Sequence, residues 1–305
     1  MMQLTSEKFK KVAKEDIAKQ EVIRPSVTYW QDVWRRLKSN KLAMAGLVMV
    51  VIMVLFVLVG PMISPYSYFE QNYDITNQGP SAAHWFGTDQ FGRDILTRVM
   101  HGGRISLTIG FVVSILNLVI GVIYGGISGY IGGKVDDMMM RVVDVLYSIP
   151  MMIYVILLIL VLDAGMFSII VGISISSWVG MARIVRGQVL SLKEQEFVLA
   201  AKTLGASPVR ILFKHLIPNT MGPIIVSVTL AIPSAIFTES FLSYIGLGIS
   251  APDASWGTLC SEAMKGWITY PYQLFFPAMA ICVTIFAFQL LGDGLRDALD
   301  PKMRK

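Results

Sequence analysis

One ionisable side chain, Glu239, stands beside Thr238 and Ser240 in the outer half of the apolar run from about Met221 to Gly246. A carboxyl at that depth either lines a polar route or bonds to a neighbouring helix, since hydrocarbon offers it no other partner. Both roles stay open, and Glu239 is the candidate translocation-path residue. The remaining chemistry-bearing groups are dispersed. His84, His101 and His215 fall on opposite sides of the apolar runs, so no histidine pair can bind one metal or serve one catalytic triad. Cys260 and Cys282 lack CxxC or CxxH spacing, which argues against a zinc site or a disulfide framework. No GxxxxGKS/T occurs, so ATP, if it drives anything here, is bound and hydrolysed by another polypeptide. No catalytic residue, metal ligand or cofactor is assigned to this chain.

Charges cluster in two places. Asp89, Arg93, Asp94, Arg98 and Arg104 come so close together that they predict a salt-bridged elbow ahead of the second apolar run. Asp144 follows Arg141 by three residues and is expected to pair with it, while Arg183 and Arg186 end an apolar run and are expected to snorkel to the interface.

The stretch from Glu194 to Asn219 is polar, patterned and bounded by apolar runs. Phe197, Ala200, Ala201 and Leu204 share one helical face, and Gly205 stands where a left-handed residue would end that helix. Ser207 can cap a second helix with Pro208 at its first position, and Val209, Leu212, Phe213 and Leu216 repeat the stripe until Pro218 ends it. Such a helix–turn–helix, with Lys202, Arg210 and Lys214 on its polar face, needs a protein to pack against.

These segments must be positioned by a membrane bundle. Apolar residues make up 54% of the 305 residues and charged ones 15%, against roughly 25% charged in a soluble domain. Six runs are long enough to cross about 30 Å of hydrocarbon: Ala43 to Ile63, Ile105 to Ile131, Val142 to Leu162, Met166 to Val185, Met221 to Gly246 and Leu274 to Leu291. Pro150, Pro223 and Pro233 predict kinks, and Pro277 lies in the last run. Gly121, Gly125 and Gly129 form a small-residue stripe, as do Gly172, Ser176 and Gly180, and each predicts close helix packing. Before the first span, residues 1–24 read as a tail. Trp30, Val33, Trp34 and Leu37 lie on one face beside Arg35, Arg36, Lys38 and Lys41, which suits an interfacial helix or a leader running straight into the span. All but four of the 26 Lys and Arg residues fall inside if the N-terminus is cytoplasmic. That orientation puts both termini and the 194–219 loop in the cytoplasm. It also explains the net charge of +5 without a nucleic-acid partner. The division expected is 1–42 tail and interfacial helix, 43–63 first span, 64–104 extracytoplasmic segment, 105–291 transmembrane domain carrying the 194–219 loop, and 292–305 cytoplasmic tail.

The 194–219 stretch resembles the cytoplasmic EAA loop of ABC importer permeases. Ala200, Ala201, Gly205 and Pro218 match its motif, whereas Leu199 replaces its Glu and His215 an aliphatic residue. AAxxLGA at Ala200 to Ala206 and HxxPN at His215 to Asn219 are the form of the peptide-importer subfamily. GTDxxGRD at Gly87 to Asp94, FLSYIGLGISAPDASWG at Phe241 to Gly257 and GDGLRDALDP at Gly292 to Pro301 resemble the same subfamily, closest to the C-type permease of an oligopeptide importer. The resemblance implies an all-α, six-span permease of type I architecture in the bacterial cytoplasmic membrane. It further implies a second permease as heterodimer partner, two ATPase subunits that bind ATP and Mg, and an extracytoplasmic peptide-binding protein. Glu196, Ala200, Ala201, Leu204, Gly205, Ala206, His215, Pro218 and Asn219 would then couple to the ATPase. An ion-driven secondary transporter, a non-transporting scaffold, or a nickel or glutathione permease are the competing readings.

Overall fold

The computed structural model describes residues 28–300; the tail read at residues 1–24 lies outside them. Five helices among the described residues are long and apolar enough to cross a membrane, and a sharply bent pair makes six if the two count as one span.

Helix α1 (Tyr29–Ser39) is separated from α2 (Lys41–Ile63) by Asn40, whose backbone is extended. The Asn40 carbonyl oxygen of the side chain accepts from the Leu42 and Ala43 N–H groups, capping α2. No continuous leader forms, and α1 is an element of its own. The first span, α2, is mostly exposed and carries Pro61 in its last turn. Proline has no N–H, so the Val57 carbonyl four residues earlier lacks its helical partner. Arg104 fills the gap, donating from Nε to Val57 O at 2.8 Å and from Nη2 to Leu58 O at 2.6 Å. An open carbonyl in hydrocarbon costs several kcal/mol, and the guanidinium removes that cost. Arg104 therefore serves the proline of another helix rather than the expected elbow.

The second span is longer than its apolar run. Helix α3 (Ile95–Ile131) starts ten residues before Ile105, and its 37 residues extend about 55 Å. Asp94 starts it by accepting from the Thr97 N–H and hydroxyl, both at 2.8 Å. Before it, Asp89 accepts from Arg93 Nε at 2.7 Å and Arg98 Nη1 at 2.6 Å, and both arginines also reach Glu262, at 3.0 and 2.8 Å. The elbow is thus ion-paired as expected, but half of it is helix.

The third span is broken rather than kinked. Helices α4 (Gly133–Ser148) and α5 (Met151–Leu162) meet at 78° across Ile149 and Pro150. A residue preceding proline is pushed to extended backbone, and Ile149 is extended. Helix α6 (Met166–Leu192) continues seven residues beyond Val185. Helices α7 (Glu196–Thr203) and α8 (residues 208–219) form the loop, and α9 (Met221–Leu242) continues through a widened turn at Ser243–Leu247. Pro223 falls in the first turn of α9, where a proline breaks no hydrogen bond. After the short α10 (Trp256–Ala263), α11 (Pro271–Leu299) runs past Leu291 through the segment expected to be tail. Gly292, Gly294, Ala298 and Leu299 are buried, and Ala298 and Leu299 pack on Val33 and Leu37 of α1.

Helices α3 and α6 are the tightest pair. A Cβ on Gly125 would lie 2.2 Å from the Ala182 carbonyl oxygen, on Gly121 2.5 Å from Met181 Cβ, and on Gly129 2.8 Å from the Arg186 carbonyl oxygen. The α3 stripe therefore packs within the chain. In the α6 stripe Gly172 abuts Val155 of α5, whereas a Cβ on Gly180 would meet nothing within 4 Å.

Candidate functional site

The 194–219 loop is built almost entirely by local chemistry. Helix α7 ends in a Schellman motif: Gly205 adopts φ +78°, its N–H bonds the Lys202 carbonyl at 2.9 Å, and the Ala206 N–H bonds the Ala201 carbonyl at 3.0 Å. Ser207 Oγ then accepts from the Arg210 N–H at 3.4 Å, with Pro208 in the first turn of α8. Pro218 does not end α8. A π-helical turn at Ile211–Leu216 precedes it, and the helix continues to Asn219, whose side-chain amide donates to the His215 carbonyl at 2.6 Å. A widened turn accommodates a proline ring that a regular helix would press against the carbonyl four residues earlier.

The loop has two apolar faces. Val198, Ala201, Ile211, Leu212 and Leu216 are buried against Met181, Val185 and Val189 of α6 and Ile224 of α9. On the opposite side, Phe197, Leu199, Val209 and Phe213 are exposed, and Leu204 at the turn is 88% exposed. Ala200, Gly205 and Glu196 share that exposed side, Ala206 and His215 are half-buried, and Pro218 and Asn219 are exposed. The expected stripe of Phe197, Ala200, Ala201 and Leu204 is thereby corrected: Ala201 turns inward, and the other three face out. Val198, which helps hold the loop down, was missed because an eight-residue helix with apolar residues on two sides has no single stripe to read, and Ile211 lies off the stripe read in α8.

The root of the loop is ionically anchored. Arg186 donates from Nε and Nη2 to the two Asp136 oxygens, each at 2.6 Å, and Ser128 Oγ donates to the same carboxylate. Lys193 Nζ donates to the Gly129 carbonyl at 3.3 Å. Arg186 therefore joins α6 to α4 instead of snorkelling. Asp144 likewise pairs with Arg183 at 2.6 Å, across to α6, and not with Arg141.

Glu239 is completely buried. Its carboxyl accepts from Ser106 Oγ of α3 at 3.0 Å and Ser243 Oγ at 2.7 Å, and Ser106 also accepts the Trp256 N–H at 3.2 Å. Here Glu239 ties α9, α3 and α10 together. The three histidines take separate partners or none in common: His84 contacts Asp94 at 3.0 Å and His101 contacts Asp253 at 3.2 Å, while His215 sits in α8.

Residues 117–305 match the family described as binding-protein-dependent transport system inner membrane component, and residues 28–80 match the N-terminal TM domain of oligopeptide transport permease C. The oligopeptide transport system permease protein OppC of Bacillus subtilis is 52% identical over 94% of this chain and 94% of its own. The dipeptide transport system permease protein DppC of the same organism is 53% identical over 93% of this chain and 89% of its own, and Escherichia coli OppC is 46% identical over 90% and 92%. This chain is a binding-protein-dependent ABC transport permease. In fold, the permease is similar to a chain of the MetNI methionine ABC transporter, with TM-score 0.55 over 67% of this chain and 96% of that one at 19% identity. As a member of this family it is a membrane-embedded, non-catalytic transport subunit of the bacterial inner membrane that works with ATPase subunits and a binding protein. The permease assignment displaces both the secondary transporter and the scaffold.

Proposed function

We propose that this permease forms half of a peptide translocation channel, pairs with a second permease, and is driven by two ATPase subunits that dock on the 194–219 loop. The exposed apolar surface of Phe197, Leu199, Leu204, Val209 and Phe213 carries the docking assignment. A loop already packed by one face has no intrachain use for a second, and a leucine left in water at its turn is what a partner's groove would cover. Peptide as cargo rests on the oligopeptide and dipeptide permeases named above, each 45% or more identical. Co-expression with its partner permease and ATPases should give labelled-peptide uptake that stops when the ATPases are omitted. Uptake of nickel chelates or glutathione, with none of peptide, would sink the peptide assignment.

The orientation follows the charge asymmetry, with the loop and both termini cytoplasmic. A reporter fused after Lys305 should be active only in the cytoplasm, and a cysteine at Asn77 should react with an impermeant maleimide from outside. The native thiols do not interfere. Cys260 is buried, with its thiol pushed up to about 12 mainly by that burial, so almost no reactive thiolate exists at neutral pH. Cys282 lies within the spanning part of α11, where a charged reagent does not reach. Labelling of Asn77→Cys only after permeabilisation would reverse the orientation.

A further inference from the structure

We propose that α1 is a binding surface for anionic phospholipid, placed so that headgroups load the root of the 194–219 loop. Its depth is set by covalent geometry: α1 ends one residue before α2, a span that exposes Leu42, Val48, Val51 and Ile52 along its first half. The turn at Asn40 therefore holds α1 at a bilayer boundary. Its inner face, Val33 and Leu37, is occupied by Ala43, Ala298 and Leu299. Trp30 and Trp34, 55% and 46% exposed, lie beside that seam, where indoles favour headgroup depth.

The charge on this helix is one-sided. Asp32 is the sole acid between Tyr29 and Lys41, and it is taken up by Arg35 at 2.8 Å and Arg36 at 2.9 Å. Lys38 leans over the Trp34 ring at 5.1 Å, and Arg35, Lys38 and Lys41 are exposed. Cations above interfacial tryptophans on a helix with one sealed face complement an anionic leaflet. The face lies next to the coupling element: Ile225 and Val226 of α9 pack against the Val33–Leu37 cluster, and α9 begins two residues after Asn219. Lipid held on α1 thus braces the segment from which the loop emerges. Neither the peptide assignment nor ATPase docking is needed for this binding.

The test uses the full chain in nanodiscs of mixed phosphatidylcholine and phosphatidylglycerol, with bromine placed near the headgroup of one lipid or the other at the same mole fraction. The tryptophan signal of α1 is obtained by difference from the W30F/W34F double variant. Brominated phosphatidylglycerol should quench it about twofold more than brominated phosphatidylcholine, since surface cations concentrate anionic lipid around them. The preference should disappear in the R35Q/K38Q/K41Q variant and fade at high salt. Equal quenching by the two lipids would overturn the proposal. Absence of quenching by either would assign this face to protein, an ATPase or residues 1–27 of the chain itself, and would equally overturn it. Peptide uptake measured on the same variants keeps the two readings apart, because a lipid-blind α1 with normal uptake leaves the permease assignment intact.

Discussion

Gly125→Leu is expected to prevent this permease from folding, giving aggregated or degraded protein in place of a monodisperse peak on size-exclusion chromatography. Even the single carbon of alanine would sit 2.2 Å from the Ala182 carbonyl oxygen, so α3 and α6 would have to separate. Overpacking of that kind costs about 1–3 kcal/mol for a methyl group and more for leucine. Separation would also pull Arg186 off Asp136, leaving a buried carboxylate without the guanidinium that pairs with it. Gly125→Ala should therefore melt at a clearly lower temperature than wild type. Gly180→Leu is the control, since nothing lies within 4 Å of that site, and its melting should be unchanged. Normal melting of Gly125→Leu would show that the glycine stripe is not the α3–α6 contact.

Gly205→Val should leave the chain inserted and abolish uptake. The residue holds φ +78° with open space around its Cβ position, so the effect is purely one of backbone. L-residues pay about 1–2 kcal/mol there and β-branched ones more, which is enough to open the two Schellman bonds and swing α7 relative to α8. Gly205→Asn, which tolerates left-handed backbone, should retain most uptake. Two further variants separate the faces of the loop. Leu204→Asp changes a solvent-exposed side chain, so it should keep wild-type melting but lose ATPase co-purification. Ala201→Asp buries a charge among Met181, Val185 and Leu216 and should lower melting itself. Full uptake and full ATPase association in both Gly205→Val and Leu204→Asp would remove the loop as the coupling element.

Legibility of the sequence depended on how local the deciding interaction was. The turn at Leu204 to Pro208 was readable because a left-handed glycine, a capping serine and a first-turn proline each act within four residues. Apolar runs likewise announce their spans. The true starts and ends of α3 and α11 were hidden because polar helical turns are held by partners far away in the chain: Arg98 by Glu262, and Leu299 by Leu37. Pro150 marked an interruption, but the 78° angle depends on what α4 and α5 each pack against. At the loop, periodicity identified apolar positions without showing which side belonged to the chain's own core. The partner of Arg104 was legible in principle, since Pro61 leaves the Val57 carbonyl open, but nothing in sequence links the two.

Helix α3 also has a mechanical meaning. At one end it is clamped by the Asp89, Arg93, Arg98 and Glu262 cluster, and at the other it is fused through glycine contacts to the helix that bears the loop. A helix of about 55 Å that tilted as one body by about 10° about its middle would carry each tip through about 5 Å, in opposite directions. A push delivered by nucleotide closure on one face of the membrane would thus arrive on the other as a displacement of one helical turn, with its sign reversed. A see-saw of this kind needs no relay of side-chain rearrangements to keep one entrance shut while the other opens.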